Sequence, residues 1–292
     1  MATELKLEKR HDFLICVDSD GCLLDNMELK HKECFCPATV NVWDLQAISK
    51  YARRAAEFVN LYSRSRGWNR FPALVRTIDL LFDRPEVREY GLEKPDLSSL
   101  KAWIETTPSL SSPALRRYCE ENGIADEVLL RACRWGEEVD ENIRRTVRNI
   151  RPFPSVKATL AKLSESADVM VVSATPNEAL TRELTACGIV EFFSYVAGQE
   201  TGIKSQSIRL AMSDRYARDH VLKVGDAASD LKAAQDNGVL FYPIVPGREN
   251  ESWKTLGATV LGQFTGGTYE GEAMEGYVSA FLSSLTDAET WD

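Results

Sequence analysis

Short apolar runs alternate with segments of helical periodicity between residues 155 and 245. Strands are predicted at 169–172, 193–197, 221–224 and 240–245, and helices at 155–164, 177–187, 205–216 and 229–237. Strands that are separated by helices of about ten residues pair in parallel and are joined by right-handed crossovers. This alternation predicts an α/β fold built on a parallel sheet.

A further apolar run, at residues 13–17, lies far upstream of that region. It is short and uninterrupted, which is typical of a strand buried on both faces of a parallel sheet. Downstream of it, apolar residues recur at helical spacing, most regularly from 128 to 147. Since 292 residues is near the upper limit for a single core, we predict two domains. Residues 11–26 and 150–292 form the core, and residues 27–149 form a mostly helical domain inserted after the first strand.

The two ends of the long core segment carry further signals. Pro152 and Pro154 cannot continue a helix, so the segment around them is predicted to be the linker that returns from the insert to the core. Residues 257–276 are rich in glycine and show no clear periodicity. One short helix, at 277–285, is the element predicted in this last part of the chain.

Composition and charge exclude several classes of protein. Apolar residues make up 44% and charged residues 27% of the chain, as in ordinary globular proteins. The 44 acidic residues outnumber the 35 basic ones, and the resulting net charge of −9 argues against nucleic-acid binding. No apolar stretch reaches the roughly 18 residues of a membrane helix, and residues 1–10 lack a secretory signal. The seven cysteines show no zinc-site spacing, and we expect reduced thiols in the cytoplasm.

Polar residues follow several of the predicted strands. Asp18 and Asp20 follow the first strand, Ser173 follows the strand at 169–172, and Asp226 follows the strand at 221–224. Lys204 lies at the start of the helix predicted at 205–216. Ligands of open α/β sheets bind at the carboxyl ends of the strands, so these side chains are candidates for one site.

The residue types in this set suit phosphoryl transfer. Crowded carboxylates repel one another unless a cation lies among them, and hard oxygen ligands favour Mg²⁺. A carboxylate beside Mg²⁺ can attack phosphorus and form an aspartyl-phosphate. Lys204, the Ser173 hydroxyl and nearby backbone N–H groups could neutralise the phosphoryl oxygens. Taken singly, each residue also has a purely structural interpretation, such as a turn, a helix cap or a solvated charge.

The chain resembles the haloacid dehalogenase-like hydrolase superfamily, whose four motifs occur here in family order between residues 13 and about 246. The motifs are Asp18-Ser19-Asp20-Gly21, then Ser173, then Lys204, then Gly225-Asp226 with Asp230. The resemblance implies a Rossmann-like core and makes the helical insert at 27–149 a cap domain. The cap is similar to that of phosphoglycolate phosphatase-like and β-phosphoglucomutase-like enzymes, but it is unusually long.

The resemblance also implies roles for the acidic residues. Asp18 is similar to the family's nucleophile, which is also a Mg²⁺ ligand. Asp20 is similar to the general acid that protonates the leaving oxygen and then acts as the base toward water. The backbone carbonyl at this position is the family's metal contact. Asp226 corresponds to the remaining carboxylate ligand, and Asp230 supports the metal or its waters.

Ser173, Ala174 and Lys204 correspond to the residues that hold the phosphoryl group. The sequence departs from the family pattern at two positions. Ser19 replaces a residue that is usually bulky and apolar, and Cys22 replaces the usual Thr or Val. Neither change removes a catalytic group.

Substrate selectivity is expected to come from the cap. Residues 62–71 contain three arginines in a loop-like setting, Arg64, Arg66 and Arg70, and the planar guanidinium suits carboxylate or phosphate. The alternative for each of them is a solvated basic turn after a helix.

These observations predict a Mg²⁺-dependent phosphatase that acts on a small phosphorylated metabolite through an aspartyl-phosphate. Three alternatives on the same scaffold stay open: a phosphomutase, a phosphonatase, and a catalytically silent protein that binds a phosphorylated ligand. A dehalogenase is disfavoured, because displacing a halide does not need the acid that Asp20 supplies. A signalling receiver domain is disfavoured because its acceptor and its paired acids come from separate strands, whereas Asp18 and Asp20 end the same one.

Overall fold

The computed structural model describes residues 7–108 and 110–286. Its sheet has five parallel strands in the order β3-β2-β1-β4-β5. The strands are β1 Leu14–Val17, β2 Asp168–Val172, β3 Tyr195–Ala197, β4 Val221–Gly225 and β5 Leu240–Pro243. The α/β class and the parallel sheet are therefore confirmed.

The first strand lies at the centre of the sheet, although more than a hundred residues separate it from the next strand in the chain. Val17 pairs with Val171 of β2 on one side and with Val224 of β4 on the other. All of β1 is buried, as expected for a strand covered on both faces. The segments that follow β1, β2 and β4 consequently leave the sheet side by side at the same edge.

The chain divides into two compact units, one of residues 7–27 with 149–286 and the other of residues 28–148. The helices between residues 27 and 148 are α1 Met27–Lys30, α2 Cys36–Val42, α3 Ser49–Glu57, α4 Arg70–Asp83, α5 Pro85–Arg88, α6 Ser98–Thr106, α7 Ser112–Glu121 and α8 Glu127–Thr146. The same segment has π-helical turns at His31–Phe35 and Phe58–Tyr62 and a 3-10 turn at Gln46–Ile48. Trp43, Trp103 and Trp135 lie in the core of this helical unit. Its assignment as a cap domain stays a prediction.

The helices of the sheet-containing unit are α9 Val156–Ser164, α10 Asn177–Ala186, α11 Lys204–Met212, α12 Ala228–Asn237, α13 Glu249–Thr255, α14 Leu261–Thr265 and α15 Glu272–Ser284, with a π-helical turn at Leu256–Val260 and 3-10 turns at Val190–Phe192, Gln199–Thr201 and Arg218–His220. Buried apolar clusters cover both faces of the sheet. Residues 287–292 of the predicted core, and residues 1–6, lie outside the described residues.

The prediction for the last part of the chain was wrong. The structure has a continuous helical segment from Glu249 to Thr265 where no helix was predicted, and the last helix begins at Glu272 and not at residue 277. Gly257 and Gly262 lower the helix propensity of this segment and hide its pattern. Burial of Leu256, Val260 and Phe264 on one face compensates.

None of the helices among the described residues has the length and hydropathy that a membrane span requires.

Candidate active site

The carboxyl edge of the sheet brings together residues from widely separated parts of the sequence. The backbone N–H of Asp18 donates to Val224 O at 2.9 Å and so extends the pairing of β1 with β4 beyond the strand end. In the same way, the N–H of Ser173 donates to Ala197 O at 2.9 Å and extends β2 along β3. These bonds hold Asp18 and Ser173 in place at the edge where the chain leaves the sheet.

Three carboxylates converge at this edge. Asp18, Asp226 and Asp230 each offer an oxygen, and the three oxygens lie within 4.8 Å of one another. All three residues are buried. Asp226 is held directly after β4, and Asp230 lies in the first turn of α12. Like charges at this separation repel, so the cluster has the donor set and the electrostatic need for a hard cation.

Two lysines, the half-buried Lys204 and the buried Lys223, partly neutralise the carboxylates. Lys204 Nζ lies 3.0 Å from Asp18 Oδ1 and 2.8 Å from Asp230 Oδ1. Lys223, which is fully buried on β4, also contacts Asp230 Oδ1 at 2.8 Å and donates to Val224 O at 3.0 Å. Among the described residues, Asp230 Oδ2 is buried and has no hydrogen-bond partner. Asp230 therefore binds both ammonium groups with one oxygen and keeps the other for a further ligand.

These surroundings shift the pKa values of Asp18 and Asp230 in opposite directions. The pKa of Asp18 is raised to about 7, first because burial disfavours the charged form and next because Asp230 carries like charge, while Lys204 and Lys223 oppose the rise. Burial also acts to raise the pKa of Asp230, but the two lysines outweigh it and hold that pKa below its ordinary value. Burial disfavours the charged form of Lys204, yet Asp18 and Asp230 together raise its pKa. Carboxyls whose pKa values are driven apart in this way are typical of catalytic sites.

The Asp20 carboxylate accepts side-chain hydrogen bonds. Asn26 Nδ2 donates to Asp20 Oδ1 at 2.6 Å, and Thr175 Oγ1 donates to Asp20 Oδ2 at 3.4 Å. Asn26 also accepts the N–H of Gly21 through Oδ1 at 3.3 Å, which closes the loop on itself. Gly21 has a φ of 71°, in the left-handed region that glycine adopts without strain. The tight loop thus gives the Asp20 carboxylate a defined orientation.

Ser173 lies in a cluster of hydroxyls. Its Oγ is 2.7 Å from Ser19 Oγ and accepts the backbone N–H of Thr175 at 3.0 Å. Ala174, the predicted phosphate-binding neighbour, is exposed on the turn between Ser173 and Thr175.

The Asp230 side chain lies very close to the backbone of Gly225, which explains why the acidic motif begins with glycine. A Cβ atom at this position would lie 2.3 Å from Asp230 Cγ, which is closer than any real contact. The absence of a side chain lets the first turn of α12 bring Asp230 against the end of β4.

Sequence reasoning missed Lys223, Asn26 and Thr175 as members of this site. The sequence did contain a signal for Lys223, because this residue interrupts the apolar run at 221–224. A lysine buried in a central strand needs a counter-charge. Asn26 and Thr175 had no such signal, because their contacts with Asp20 depend on how the loops fold.

The three arginines predicted to bind substrate have different surroundings within the helical unit. Arg66 is buried, and its Nη1 donates to Leu61 O at 3.1 Å. Arg70 begins α4 and forms an ion pair with Asp140 at 2.7 Å. Arg64 is exposed. These contacts give Arg66 and Arg70 structural roles in the unit, and substrate binding stays a prediction for all three.

Comparison with protein families gives a match to the haloacid dehalogenase-like hydrolase family over residues 87–244. This region is more than half of the 292 residues and contains Ser173, Lys204, Asp226 and Asp230. Asp18 and Asp20 lie outside it. No curated protein matches the chain.

Several solved structures are similar to the chain. A predicted phosphoglycolate phosphatase from Haemophilus somnus is 16% identical over 80% of this chain and 86% of that chain, with a TM-score of 0.48. CbbY from Rhodobacter sphaeroides in complex with phosphate is 13% identical over 85% of this chain and 97% of that chain, with a TM-score of 0.47. A haloacid dehalogenase-like family hydrolase from Streptococcus pneumoniae is 14% identical over 79% of this chain and 83% of that chain, with a TM-score of 0.43.

Proposed function

Because the chain belongs to the haloacid dehalogenase-like hydrolase family, we propose that it is a Mg²⁺-dependent phosphatase that hydrolyses the phosphate monoester of a small metabolite. One observation carries the proposal: the buried carboxylates of Asp18, Asp226 and Asp230 converge around Lys204 at the carboxyl edge of the sheet. A nucleophile, a cation site and a positive group for phosphoryl oxygens are thereby supplied within one cluster.

The cluster fits a magnesium ion. Its donors are carboxylate oxygens, which Mg²⁺ prefers, and Asp230 Oδ2 is a buried acceptor without a protein donor among the described residues. By the family resemblance, Asp18, the backbone carbonyl of Asp20 and Asp226 hold the ion, and Asp230 holds its waters. When bound, Mg²⁺ neutralises the carboxylates and orients the phosphoryl oxygens of the substrate.

Asp18 is the nucleophile in the proposed reaction. Its carboxylate oxygen forms a bond to phosphorus while the bond from phosphorus to the ester oxygen breaks, which leaves an aspartyl-phosphate and an alcohol. Lys204 Nζ, 3.0 Å from Asp18 Oδ1, favours the ionised carboxylate and provides positive charge for the phosphoryl oxygens. Ser173 and the turn at Ala174 hold the same oxygens.

Asp20 moves the protons. In its acid form it gives a proton to the departing ester oxygen. It then accepts a proton from the water that attacks phosphorus, so that phosphate is released and the Asp18 carboxylate is restored. The contacts of Asp20 with Asn26 and Thr175 support this role, because a carboxyl that serves two steps must keep one orientation.

The test is phosphate release from a panel of esters, assayed with Mg²⁺ and with a chelator. We expect metal-dependent release that Asp18→Asn abolishes, because an amide is a far poorer nucleophile. Asp219→Asn is the matched control, since this exposed aspartate precedes β4 at the opposite end of the strand. Release that survives Asp18→Asn, or that does not need a divalent cation, would refute the mechanism.

The fate of the phosphoenzyme separates a phosphatase from a phosphomutase. Radiolabelled phosphate on Asp18 is expected to pass to water at the same rate whether or not a sugar phosphate is present. Transfer of the label to the sugar phosphate in preference to water would instead make the chain a mutase. A third result, carbon–phosphorus cleavage of a phosphonate, would assign it to the phosphonatases.

A further inference from the structure

Ser19 lies between the two catalytic aspartates and is completely buried. Its backbone oxygen accepts the N–H groups of Cys22, Leu23 and Leu24 and so fixes the loop after β1. Its side-chain Oγ lies 2.7 Å from Ser173 Oγ. The nucleophile's loop and the phosphate-binding loop after β2 are therefore joined through two hydroxyl groups.

The hydrogens of these hydroxyls can be counted. Each serine contributes one proton and two acceptor lone pairs. Ser173 Oγ already accepts one hydrogen bond, from the N–H of Thr175 at 3.0 Å. Within residues 7–108 and 110–286, Ser19 Oγ has Ser173 Oγ as its hydrogen-bond partner and no other. One of the two hydroxyl protons is used between the serines, and the other has no acceptor among these described residues.

The direction of the bond decides where that second proton lies. If Ser173 donates, the proton of Ser19 is left without an acceptor at a fully buried position, which costs the desolvation of a polar group. If Ser19 donates, both lone pairs of Ser173 Oγ are filled and its own proton points away from Thr175 and Ser19. In this second arrangement, Ser173 can act toward a ligand only as a hydrogen-bond donor.

We propose that Ser19 is a positioning residue that fixes the Ser173 hydroxyl as a donor to an oxygen of the substrate's phosphoryl group. The role rests on the proposed phosphatase function. A phosphoryl oxygen is an acceptor without protons of its own in the dianion, so a hydroxyl held in the donor state matches it without reorienting. The hydroxyl of a serine without this neighbour can rotate. The entropy lost on ordering it then offsets part of the free energy of the hydrogen bond to the ligand.

The test measures binding of inorganic phosphate to the Mg²⁺-loaded protein by isothermal titration calorimetry. Ser19→Ala is expected to weaken phosphate binding by roughly three- to tenfold, less than a directly contacting donor contributes. Ser173→Ala is expected to weaken it more. In the double variant, Ser19→Ala is expected to cause no further loss, because its effect passes entirely through Ser173.

Two further variants separate positioning from folding. Ser252→Ala removes another buried hydroxyl of the same unit, one that bonds to the backbone at Arg248 and Val245, and it should leave phosphate affinity unchanged. Ser19→Cys keeps a weak donor of similar shape and is expected to bind phosphate with an affinity between those of wild type and Ser19→Ala.

Two results would overturn the role of Ser19 while leaving the phosphatase proposal intact: wild-type phosphate affinity in Ser19→Ala, or losses that add in the double variant. If Ser173→Ala itself binds phosphate as wild type does, the placement of the phosphoryl group at Ser173 fails, and the role of Ser19 fails with it. Dependence of ester hydrolysis on Asp18, measured separately, reports on the phosphatase function alone.

Discussion

Replacing Asp18, the proposed nucleophile, is expected to stabilise the protein when divalent cations are removed. Asp18 is buried, lies beside the carboxylates of Asp226 and Asp230, and contacts the ammonium group of Lys204. Its pKa is raised to about 7 from the ordinary value of 3.8, chiefly by burial. The difference corresponds to about 4 kcal/mol between the neutral and ionised forms.

The direction of the change in stability with pH follows from the linkage between proton binding and folding. A carboxyl whose pKa is higher in the folded protein than in the unfolded chain binds its proton more tightly when folded. The stability that Asp18 contributes is therefore complete below about pH 4 and is lost as the pH rises through 7. The Asn side chain of Asp18→Asn stays neutral and resembles the protonated form at every pH. The variant is thus expected to match wild type near pH 4 and to exceed it by up to about 4 kcal/mol at pH 8.5.

Urea unfolding followed by circular dichroism, in a chelator at pH 4.5, 6, 7 and 8.5, measures this difference. Asp219→Asn should show no such trend, because this aspartate is exposed and remote from the cluster. Saturating Mg²⁺ should reverse the order of stability, since a ligand of the native state stabilises wild type by mass action. A variant that is less stable than wild type at pH 8.5 in chelator, or a difference that does not change with pH, would refute the electrostatic reasoning.

Three further substitutions, the first with a control variant, test other parts of the structure. Lys223→Met is expected to lower the free energy of unfolding by about 3 kcal/mol, the low end for breaking a buried ion pair, because Asp230 keeps a second ammonium partner. Lys232→Met, an exposed ion-pair lysine on α12, should change it by less than about 1 kcal/mol in the same urea titration. Gly225→Ala places a Cβ 2.3 Å from Asp230 Cγ and should weaken Mg²⁺ binding at least roughly tenfold by calorimetry; wild-type affinity would show that α12 can move aside. Arg64→Ala should raise KM for the preferred ester more than for an aryl phosphate, and equal effects would remove Arg64 from substrate binding.

Most of the core fold could be predicted, because its strands are short apolar runs that alternate with helices. The order of the strands could not, since pairing of β1 with β4 across two hundred residues leaves no local pattern. The helical segment from Glu249 to Thr265 was missed for a different reason. Its two internal glycines weaken the local propensity by about 1 kcal/mol each, and packing of its apolar face against the sheet restores it.

The candidate site likewise contains some residues that could be predicted from local sequence and some contacts that could not. Residues that directly follow a strand, such as Asp18, Ser173 and Asp226, could be selected because the ends of parallel strands meet. The Ser19–Ser173 hydrogen bond depends on the register of β1 with β2 and on the direction of two side chains, and neither is local to the sequence. Candidate reacting groups are therefore easier to find from the sequence pattern than the groups that orient them.

The charges of the cluster resolve a conflict between the protein's overall charge and its proposed substrate. The chain has a net charge of −9, which repels an anion at long range. With Asp18, Asp226 and Asp230 ionised, and Lys204 and Lys223 protonated, the cluster itself carries a single negative charge. In the proposed reaction, a bound divalent cation would make the local charge positive, and a phosphoryl dianion would then restore it to one negative charge. Lys223 is needed for these changes of charge. Three carboxylates with one lysine would leave the cation-loaded site neutral and without attraction for a phosphate ester.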